Sequence, residues 1–131
     1  MAIRVVRLGT PRHGDEGLRI GTVRRPPRGV PKSEFAERDF YDVWLPVLSP
    51  DQDLVSTALK AQHEHDEKAW SAFTRRFRAE MRKPEAAHVL DLLAALSHLT
   101  NLSIGCYCED EAWCHRSVLK AALAERGAKI A

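Results

Sequence analysis

The sequence predicts an α/β protein in which a mostly parallel sheet is flanked by helices, folded as a single compact domain over residues 1–131. Short β-branched segments stand near the amino terminus, and amphipathic helical patterns fill the middle of the chain. An apolar strand, a polar turn and a helix follow near the end. In such sheets, ligands bind beyond the carboxyl ends of the strands.

Composition and charge limit the classes of protein that the chain can represent. It is 44% hydrophobic and 29% charged, and its net charge of +2 is too small to indicate nucleic-acid binding by itself. No apolar run approaches the roughly 18–20 residues that span a bilayer, and the first residues lack a signal-peptide pattern. We therefore expect a cytoplasmic protein without a membrane partner. The sequence assigns neither a cofactor nor an oligomeric state.

The first strand is predicted over residues 3–8 and the second over residues 18–23. The next segment, RRPPRGVPKS over residues 24–33, excludes helix and central strand because it holds three prolines and a glycine. Its three arginines are Arg24, Arg25 and Arg28. Because the prolines stiffen the backbone, these side chains suit the binding of an anion, and the alternative is an ordinary solvated loop.

Residues 40–48 are strongly apolar around a proline, which predicts an edge strand or an extended cover of the core. We expect Trp44 to belong to the core. A helix should follow, with Ser49 as its cap, Pro50 at its first position and Gln52 closing a capping box.

Two further helices are predicted over residues 66–82 and 84–98. The first carries an apolar stripe that we expect in the core, formed by Trp70, Phe73, Phe77 and Met81. It also carries a row of arginines, Arg75, Arg78 and Arg82. This row is either a solvated helix face or a surface that follows the phosphates of a nucleic acid.

All three cysteines of the chain fall within residues 101–126, where the last strand leads into the last helix. Side chains alternate along a strand, so Cys106 and Cys108 should lie on the same face. An odd number of cysteines argues against a disulfide framework. Because the carboxyl ends of parallel strands meet at one edge, this turn and the arginine loop are expected to face one ligand.

Cys114, His115 and Arg116 should lie in the first turn of the final helix, where amide groups and the helix dipole stabilise an anion. A thiolate at Cys114 would have a lowered pKa there, with Cys106 or Cys108 as a resolving thiol. The three carboxylates of residues 109–111 oppose this, since they would disfavour a thiolate nearby.

Zinc binding is a second interpretation of the same residues. Zinc can be bound by three thiols and one imidazole, which here would be those of Cys106, Cys108, Cys114 and His115. The spacing of these residues matches no familiar zinc finger or ribbon. We therefore assign no metal ligand from the sequence. For Cys106, a role as a small buried hydrophobe is an equal alternative.

Four stretches of the chain together resemble the domain of unknown function 488 (DUF488) family, which includes the YeaO-like proteins. They are the motif CHRSVL after a strand-ending cysteine, the run RRPPRG, and the segments WLPVLSPDQDLV and WSAFTRRFRAEM. The resemblance covers nearly the whole chain. It implies a compact α/β fold and a site built from Cys106, Cys114, His115, Arg116, Arg24, Arg25 and Arg28. Many relatives carry an acidic residue at the position of Cys108, so either Glu109 takes over its role or the role is lost.

That family carries no established activity, so the function remains a hypothesis. We expect an enzyme or former enzyme that binds a small anionic or nucleotide-like ligand through Arg24, Arg28 and Arg116. Cys114 and His115 would supply thiol chemistry. The alternatives are a zinc-binding module and a nucleic-acid-binding protein.

Overall fold

Four parallel strands form one sheet in the computed structural model, which describes residues 1–131. They are β1 (Ile3–Arg7), β2 (Leu18–Gly21), β3 (Val43–Trp44) and β4 (Leu102–Cys106), in the spatial order β1-β4-β2-β3. The helices are α1 (Gln52–Glu64), α2 (Glu67–Met81), α3 (Pro84–Leu96) and α4 (His115–Glu125). None of them is both long and apolar enough to cross a bilayer. The predicted α/β class, with a parallel sheet flanked by helices, is confirmed.

Strand β4 lies at the centre of the sheet although it comes late in the chain. It pairs along its whole length with β1 on one side, and over its first four residues with β2 on the other. All five of its residues are buried, as expected for a parallel strand that is covered on both faces. Because its neighbours run parallel to it, the arginine loop after β2 and the cysteine turn after β4 leave the sheet at the same edge.

Two glycines lie side by side near this edge, since Gly21 of β2 is paired with Gly105 of β4. A Cβ atom on Gly105 would lie 2.4 Å from the side chain of Leu8, and one on Gly21 would lie 2.4 Å from the ring of Tyr41. The absent side chains therefore make room for Leu8 and Tyr41 to pack against the sheet. These two residues form a small apolar cluster with Val23, Cys106 and Cys114.

The main core lies between the sheet and the helices. The apolar stripe predicted for α2 is confirmed, because Phe73 and Phe77 are fully buried with their ring centroids 5.7 Å apart, and Met81 is buried at the end of the helix. Trp70 is half-buried and stacks on Phe73 at 4.9 Å. The stripe belongs to one cluster with strand and helix residues that include Ile3, Ile20, Leu90, Ile104 and Leu119.

The start of α1 differs from the prediction. Asp51, rather than Ser49, caps the helix by accepting a hydrogen bond of 2.9 Å from the amide of Leu54. The hydroxyl of Ser49 instead donates to a carbonyl oxygen of the preceding 3-10 turn at 2.6 Å, so it is not free to cap. Pro50 therefore precedes the cap, Gln52 is the first helical residue, and the predicted capping box is wrong.

Residues 40–48 contain the edge strand β3, which agrees with one of the two predicted alternatives. Trp44 does not lie in the core, and that expectation is wrong: the residue is 40% exposed and its Nε1 donates to the carbonyl oxygen of Val23 at 2.7 Å. The reason is its position, because an edge strand of two residues has solvent on one side. The indole nevertheless fixes the segment that follows β2.

A buried ion pair anchors the loop between β1 and β2. Arg19 donates two hydrogen bonds to the carboxylate of Glu16, at 2.6 and 2.9 Å, and both side chains are buried. Arg19 also donates to the carbonyl oxygens of Thr10 and Asp39, while Glu16 accepts from the hydroxyl of Ser103. Burial raises the pKa of Glu16, but the hydrogen bonds from Arg19 and Ser103 outweigh it and lower that pKa to about 2.

We expect Glu16→Gln to lower the free energy of unfolding by about 3–5 kcal/mol, because Arg19 would remain buried without a counter-ion. In the wild type, the ionised carboxylate contributes fully above pH 4.5, its ordinary pKa, and the contribution is lost as the pH falls towards about 2. Urea unfolding should therefore show a loss of stability over this pH range that the variant lacks.

Asp15→Asn is the matched control, because it removes only an exposed ion pair with Arg4. We expect it to leave both the free energy of unfolding and its pH dependence nearly unchanged. A Glu16→Gln protein as stable as this control would contradict the role given to the buried pair.

Candidate functional site

A cavity of about 350 Å³ opens at the carboxyl edge of the sheet, and we call it the cysteine cavity. Its walls come from the arginine loop after β2, the turn after β4 and one side of α1. The loop contributes Arg24, Arg25 and Arg28, and the turn with the start of α4 contributes Cys106, Tyr107, Cys108, Trp113, Cys114 and His115. The arginine loop and the cysteine turn therefore face one cavity. Six of the seven residues that the sequence assigned to the site line it.

The three thiols lie close together in this cavity, and all are free. Cys106 ends β4 and Cys114 is the cap residue of α4, and both are buried, whereas Cys108 is half-buried. The sulfur atoms of Cys106 and Cys108 are 3.8 Å apart, as their alternation along an extended chain predicts. The sulfurs of Cys106 and Cys114 and a ring nitrogen of His115 all lie within 4.8 Å of one another.

One contact determines which ring nitrogen of His115 carries a hydrogen. Its Nε2 lies 2.6 Å from the carbonyl oxygen of Thr22, and because this oxygen can only accept, Nε2 must donate. The other nitrogen, Nδ1, is then directed at Cys114, 3.7 Å from its sulfur. A neutral His115 can accept the thiol proton at Nδ1, and a charged one can donate that proton to a thiolate.

Arg116 does not line the cavity, although the sequence placed it among the ligand-binding residues. It is 2% exposed, and its guanidinium donates to the carbonyl oxygens of Val6 and Cys108, each at 2.6 Å. Its Nε donates to the sulfur of Cys114 at 3.3 Å. The side chain therefore contacts the thiol rather than the space where a ligand would bind, which makes it a positioning residue for Cys114.

The thiols have unequal pKa values because they share hydrogen bonds. Hydrogen bonds from Cys106 and Cys108, together with the nearby His115, hold the pKa of Cys114 well below its usual range despite burial. The hydrogen bonds of Cys106 to Cys108 and Cys114, together with burial, raise the pKa of Cys106. For Cys108, the bond with Cys106 lowers the pKa, but the bond with Cys114 and burial raise it to about 11. Of the three thiols, Cys114 is therefore the one whose pKa is lowered, whereas the pKa values of Cys106 and Cys108 are raised.

The acidic run at residues 109–111 faces away from the cavity. Glu109 is 83% exposed and pairs with Arg7 at 3.4 Å, while Glu111 pairs with Lys120 at 3.6 Å. Asp110 accepts from a backbone amide within its own turn at 3.0 Å. None of the three lines the cavity, so Glu109 does not stand in for the acidic residue of the relatives, and the expected repulsion on a thiolate is weak.

The three arginines of the loop differ in how many of their hydrogen-bond donors are already bonded within the protein. Arg24 donates to two carbonyl oxygens just before α1, at 3.0 and 3.1 Å, so it partly serves to hold the loop. Arg25 makes only long contacts of 3.3 and 3.4 Å with the side-chain oxygen of Gln52. Arg28 is exposed and has neither an ion pair nor a hydrogen bond within the protein. Arg25 and Arg28 are therefore the two arginines with donors free for a ligand.

Sequence reasoning missed several residues of this region, Tyr107 in the wall of the cavity among them. Thr22 orients His115 through its carbonyl oxygen, and Trp113 lines the cavity. Thr22 could have been found, because it directly follows β2 at the edge where ligands bind in parallel sheets. Tyr41 lies in the small cluster with Cys106, and its buried hydroxyl has no hydrogen-bond partner. No sequence pattern pointed to it.

The arginine row of α2 lies apart from the cysteine cavity. Arg75, Arg78 and Arg82 line a separate hollow of about 330 Å³, which shares no lining residue with the cysteine cavity. Arg78 pairs with Glu125 of α4, so part of the row is used within the protein. Binding of a nucleic acid by this row stays a prediction.

The cysteine cluster also offers a ligand set for a metal ion. Cys106, Cys114 and His115 present three ligand atoms within 4.8 Å of one another, and Cys108 lies beside Cys106. Metal-bound histidines commonly donate their other ring nitrogen to a carbonyl oxygen, and His115 does so to Thr22. The geometry therefore fits zinc better than the spacing in the sequence indicated.

Comparison with known proteins gives one match. The model of the family DUF488-N3a, described as the active DUF488-N3 subclade, matches residues 3–127. No curated protein and no solved structure matches the chain. The matched range includes both the arginine loop and the cysteine turn.

We expect Arg116→Gln to lower the free energy of unfolding by about 2–4 kcal/mol, because buried carbonyl oxygens of Val6 and Cys108 would lose charged donors. The same change should raise the pKa of Cys114, since its thiolate loses a cationic donor. Urea unfolding and a pH titration of the ultraviolet absorbance of the thiolate measure the two effects. The control is Arg7→Gln, which removes an exposed arginine that contacts the same turn at Tyr107. An unshifted titration of Cys114 in Arg116→Gln would leave Arg116 with a purely structural role.

Proposed function

The chain belongs to the DUF488-N3a family, the active DUF488-N3 subclade, and on this premise we propose that its cysteine cavity binds a small anionic ligand with which Cys114 reacts as a thiolate. One observation carries the proposal: the sulfur of Cys114 accepts from a buried guanidinium and faces the free nitrogen of an oriented imidazole. The description of the subclade as active agrees with a reactive site.

The contacts around Cys114 match those of an activated nucleophile. Such a site needs a nucleophile, a base within reach of it and a third group that orients the base. Cys114 would be the nucleophile, His115 the base and the carbonyl oxygen of Thr22 the orienting group. Arg116 and the amino-terminal end of α4 add positive charge beside the sulfur.

The proposed reaction begins with transfer of the thiol proton of Cys114 to Nδ1 of His115. The thiolate attacks an electrophilic carbon of the ligand and forms a carbon–sulfur bond, while the bond to the leaving group breaks. The leaving group departs with that electron pair and takes the proton from Nδ1. Water, deprotonated by His115, then attacks the same carbon and breaks the carbon–sulfur bond, and the sulfur leaves as thiolate beside the protonated His115. Return of the proton from Nδ1 to the sulfur restores the starting state.

The charge of the cavity supports an anionic ligand. Arg24, Arg25 and Arg28 line it, and no aspartate or glutamate does. Arginine side chains bind carboxylates and phosphates through paired hydrogen bonds, and Arg25 and Arg28 have donors to spare. The reaction also requires reduced thiols, which fits the cytoplasmic location that the sequence led us to expect.

We expect the thiol of Cys114 to ionise well below the usual thiol value of 9.0, as its pKa is lowered by the surrounding donors. The ultraviolet absorbance of thiolate in the wild type should therefore persist below neutral pH and disappear in Cys114→Ser. Cys106→Ser is the matched control and should keep the absorbance, because a hydroxyl can still donate to Cys114. A measured pKa of Cys114 at or above the usual value of 9.0 would contradict its assignment as the nucleophile.

Zinc binding is the second candidate function, and the observation that favours it is the close grouping of Cys106, Cys114 and His115. A tetrahedral structural site needs four ligands, and Cys108 would be the fourth. In that case Cys114 would be a metal ligand rather than a nucleophile. The charged donor of Arg116 at the same sulfur favours the thiolate, which needs the positive charge that a zinc ion would otherwise supply.

Elemental analysis of protein purified without a histidine tag separates the two candidates. We expect a zinc content near zero after dialysis, because the charge of the Cys114 thiolate is already balanced by the protein. About one zinc per chain, lost in Cys106→Ser and retained in the control Arg7→Gln, would establish the zinc module and overturn the nucleophile.

A further inference from the structure

A second, wider pocket of about 670 Å³ adjoins the cysteine cavity, and we call it the outer pocket. It is lined by Arg25, Pro26, Pro27, Arg28, Phe40 and Tyr107. Three of these residues, Arg25, Arg28 and Tyr107, also line the cysteine cavity. The two spaces therefore meet across the same three side chains, and each has the volume of a typical small-molecule site.

The outer pocket offers aromatic surface. The rings of Phe40 and Tyr107 are 6.4 Å apart, inclined at 74°, and both residues are half-buried. The hydroxyl of Tyr107 donates to the carbonyl oxygen of Arg25 at 2.9 Å, which fixes that ring against the loop. Exposed parts of fixed aromatic rings are surfaces on which planar rings stack.

The charges of the outer pocket suit an anion next to such a ring. Arg28 has no partner within the protein and Arg25 has only long contacts, and neither pocket is lined by a carboxylate. Other arginines are already paired within the protein, as Arg12 is with Asp42 at 2.7 Å and Arg7, the last residue of β1, is with Glu109. Two unpaired guanidinium groups thus stand between the aromatic pair and the thiols.

The loop that carries these groups is held before any ligand arrives. Pro26 and Pro27 restrict its backbone, Tyr107 bonds to it, and Arg24 joins it to the segment before α1. A site arranged in advance loses little conformational entropy when it binds a ligand. Arg25 and Arg28, which line both pockets, are therefore held beside the aromatic pair and the cysteine cavity before a ligand binds.

We propose that the ligand is nucleotide-like, with a planar aromatic ring against Phe40 and Tyr107 and a phosphate between Arg25 and Arg28. The assignment of the ring and the phosphate rests on the outer pocket, whereas the placement of the reacting group at Cys114 rests on the proposed function. A phosphorylated sugar without a planar aromatic base can bind the arginines but makes no stacking contact with Phe40 and Tyr107. The structure thus separates two classes of anion that the arginines alone cannot distinguish.

Titration calorimetry with AMP, GMP, CMP, UMP, ribose 5-phosphate and inorganic phosphate tests this assignment. We expect at least one nucleotide to bind about ten-fold or more tightly than ribose 5-phosphate, the ratio that ring stacking typically supplies. Phe40→Leu should weaken the binding of the nucleotide by about ten-fold and leave the affinity for ribose 5-phosphate unchanged, because leucine keeps the apolar packing and removes the aromatic ring. Arg28→Gln should weaken the binding of both the nucleotide and ribose 5-phosphate. Leu92→Ala, which alters an exposed apolar residue of α3 that lines neither pocket, is the control for general disturbance.

Two outcomes overturn the inference: nucleotides that bind no more tightly than ribose 5-phosphate, or a preference for nucleotides that survives in Phe40→Leu. Cys114→Ser distinguishes this inference from the proposed function, because it should keep nucleotide affinity while it loses thiolate. Nucleotide binding together with an ordinary ionisation of Cys114 would leave the ligand class standing and remove the nucleophile. A low-pH thiolate without nucleotide binding would do the reverse.

Discussion

A buried guanidinium ties the carboxyl ends of the sheet to the start of the last helix. Arg116 donates to the carbonyl oxygen of Val6 in β1, to that of Cys108 beyond β4, and to the sulfur of Cys114. His115, the preceding residue, makes the corresponding link to β2 through Thr22. Two adjacent residues thus connect the first turn of α4 to the ends of β1, β2 and β4, three of the four strands of the sheet. These links hold Cys114 in position beside the ends of the strands.

The electrostatics of the site differ from those of the chain as a whole. The sequence has 20 basic and 18 acidic residues, so its overall charge favours no particular ligand. The fold separates the signs locally: Glu109 and Glu111 pair with surface cations, and the walls of the cysteine cavity carry arginines without carboxylates. Charge separation at one edge needs no excess of charge in the composition. Net charge is therefore a poor guide to what such a cavity binds.

The features that sequence predicted well are those set by periodicity, and the ones it missed depend on distant partners. The stripe of Phe73 and Phe77 follows from helical spacing alone, as does the parallel sheet from its strand and helix order. The role of Arg116 depends on a carbonyl oxygen 110 residues earlier, which no local pattern reveals. The cap of α1 was predicted at the wrong residue for a different reason. Ser49 and Asp51 are both suitable caps, but the hydroxyl of Ser49 donates a hydrogen bond to the preceding turn, so Asp51 caps the helix.

The central place of β4 also determines the order in which the molecule is completed. Strand β1 lies at the start of the chain, yet Ile3 pairs with Leu102, so β1 has no partner strand, and β2 has only the two-residue strand β3, until β4 has been synthesised. Pairings across such long stretches of chain form late in folding. In a nascent or partly folded chain, Cys106 and Cys114 lack the donors and the imidazole that distinguish them from ordinary thiols. The contacts that surround the cysteine cluster are therefore acquired together with the finished fold.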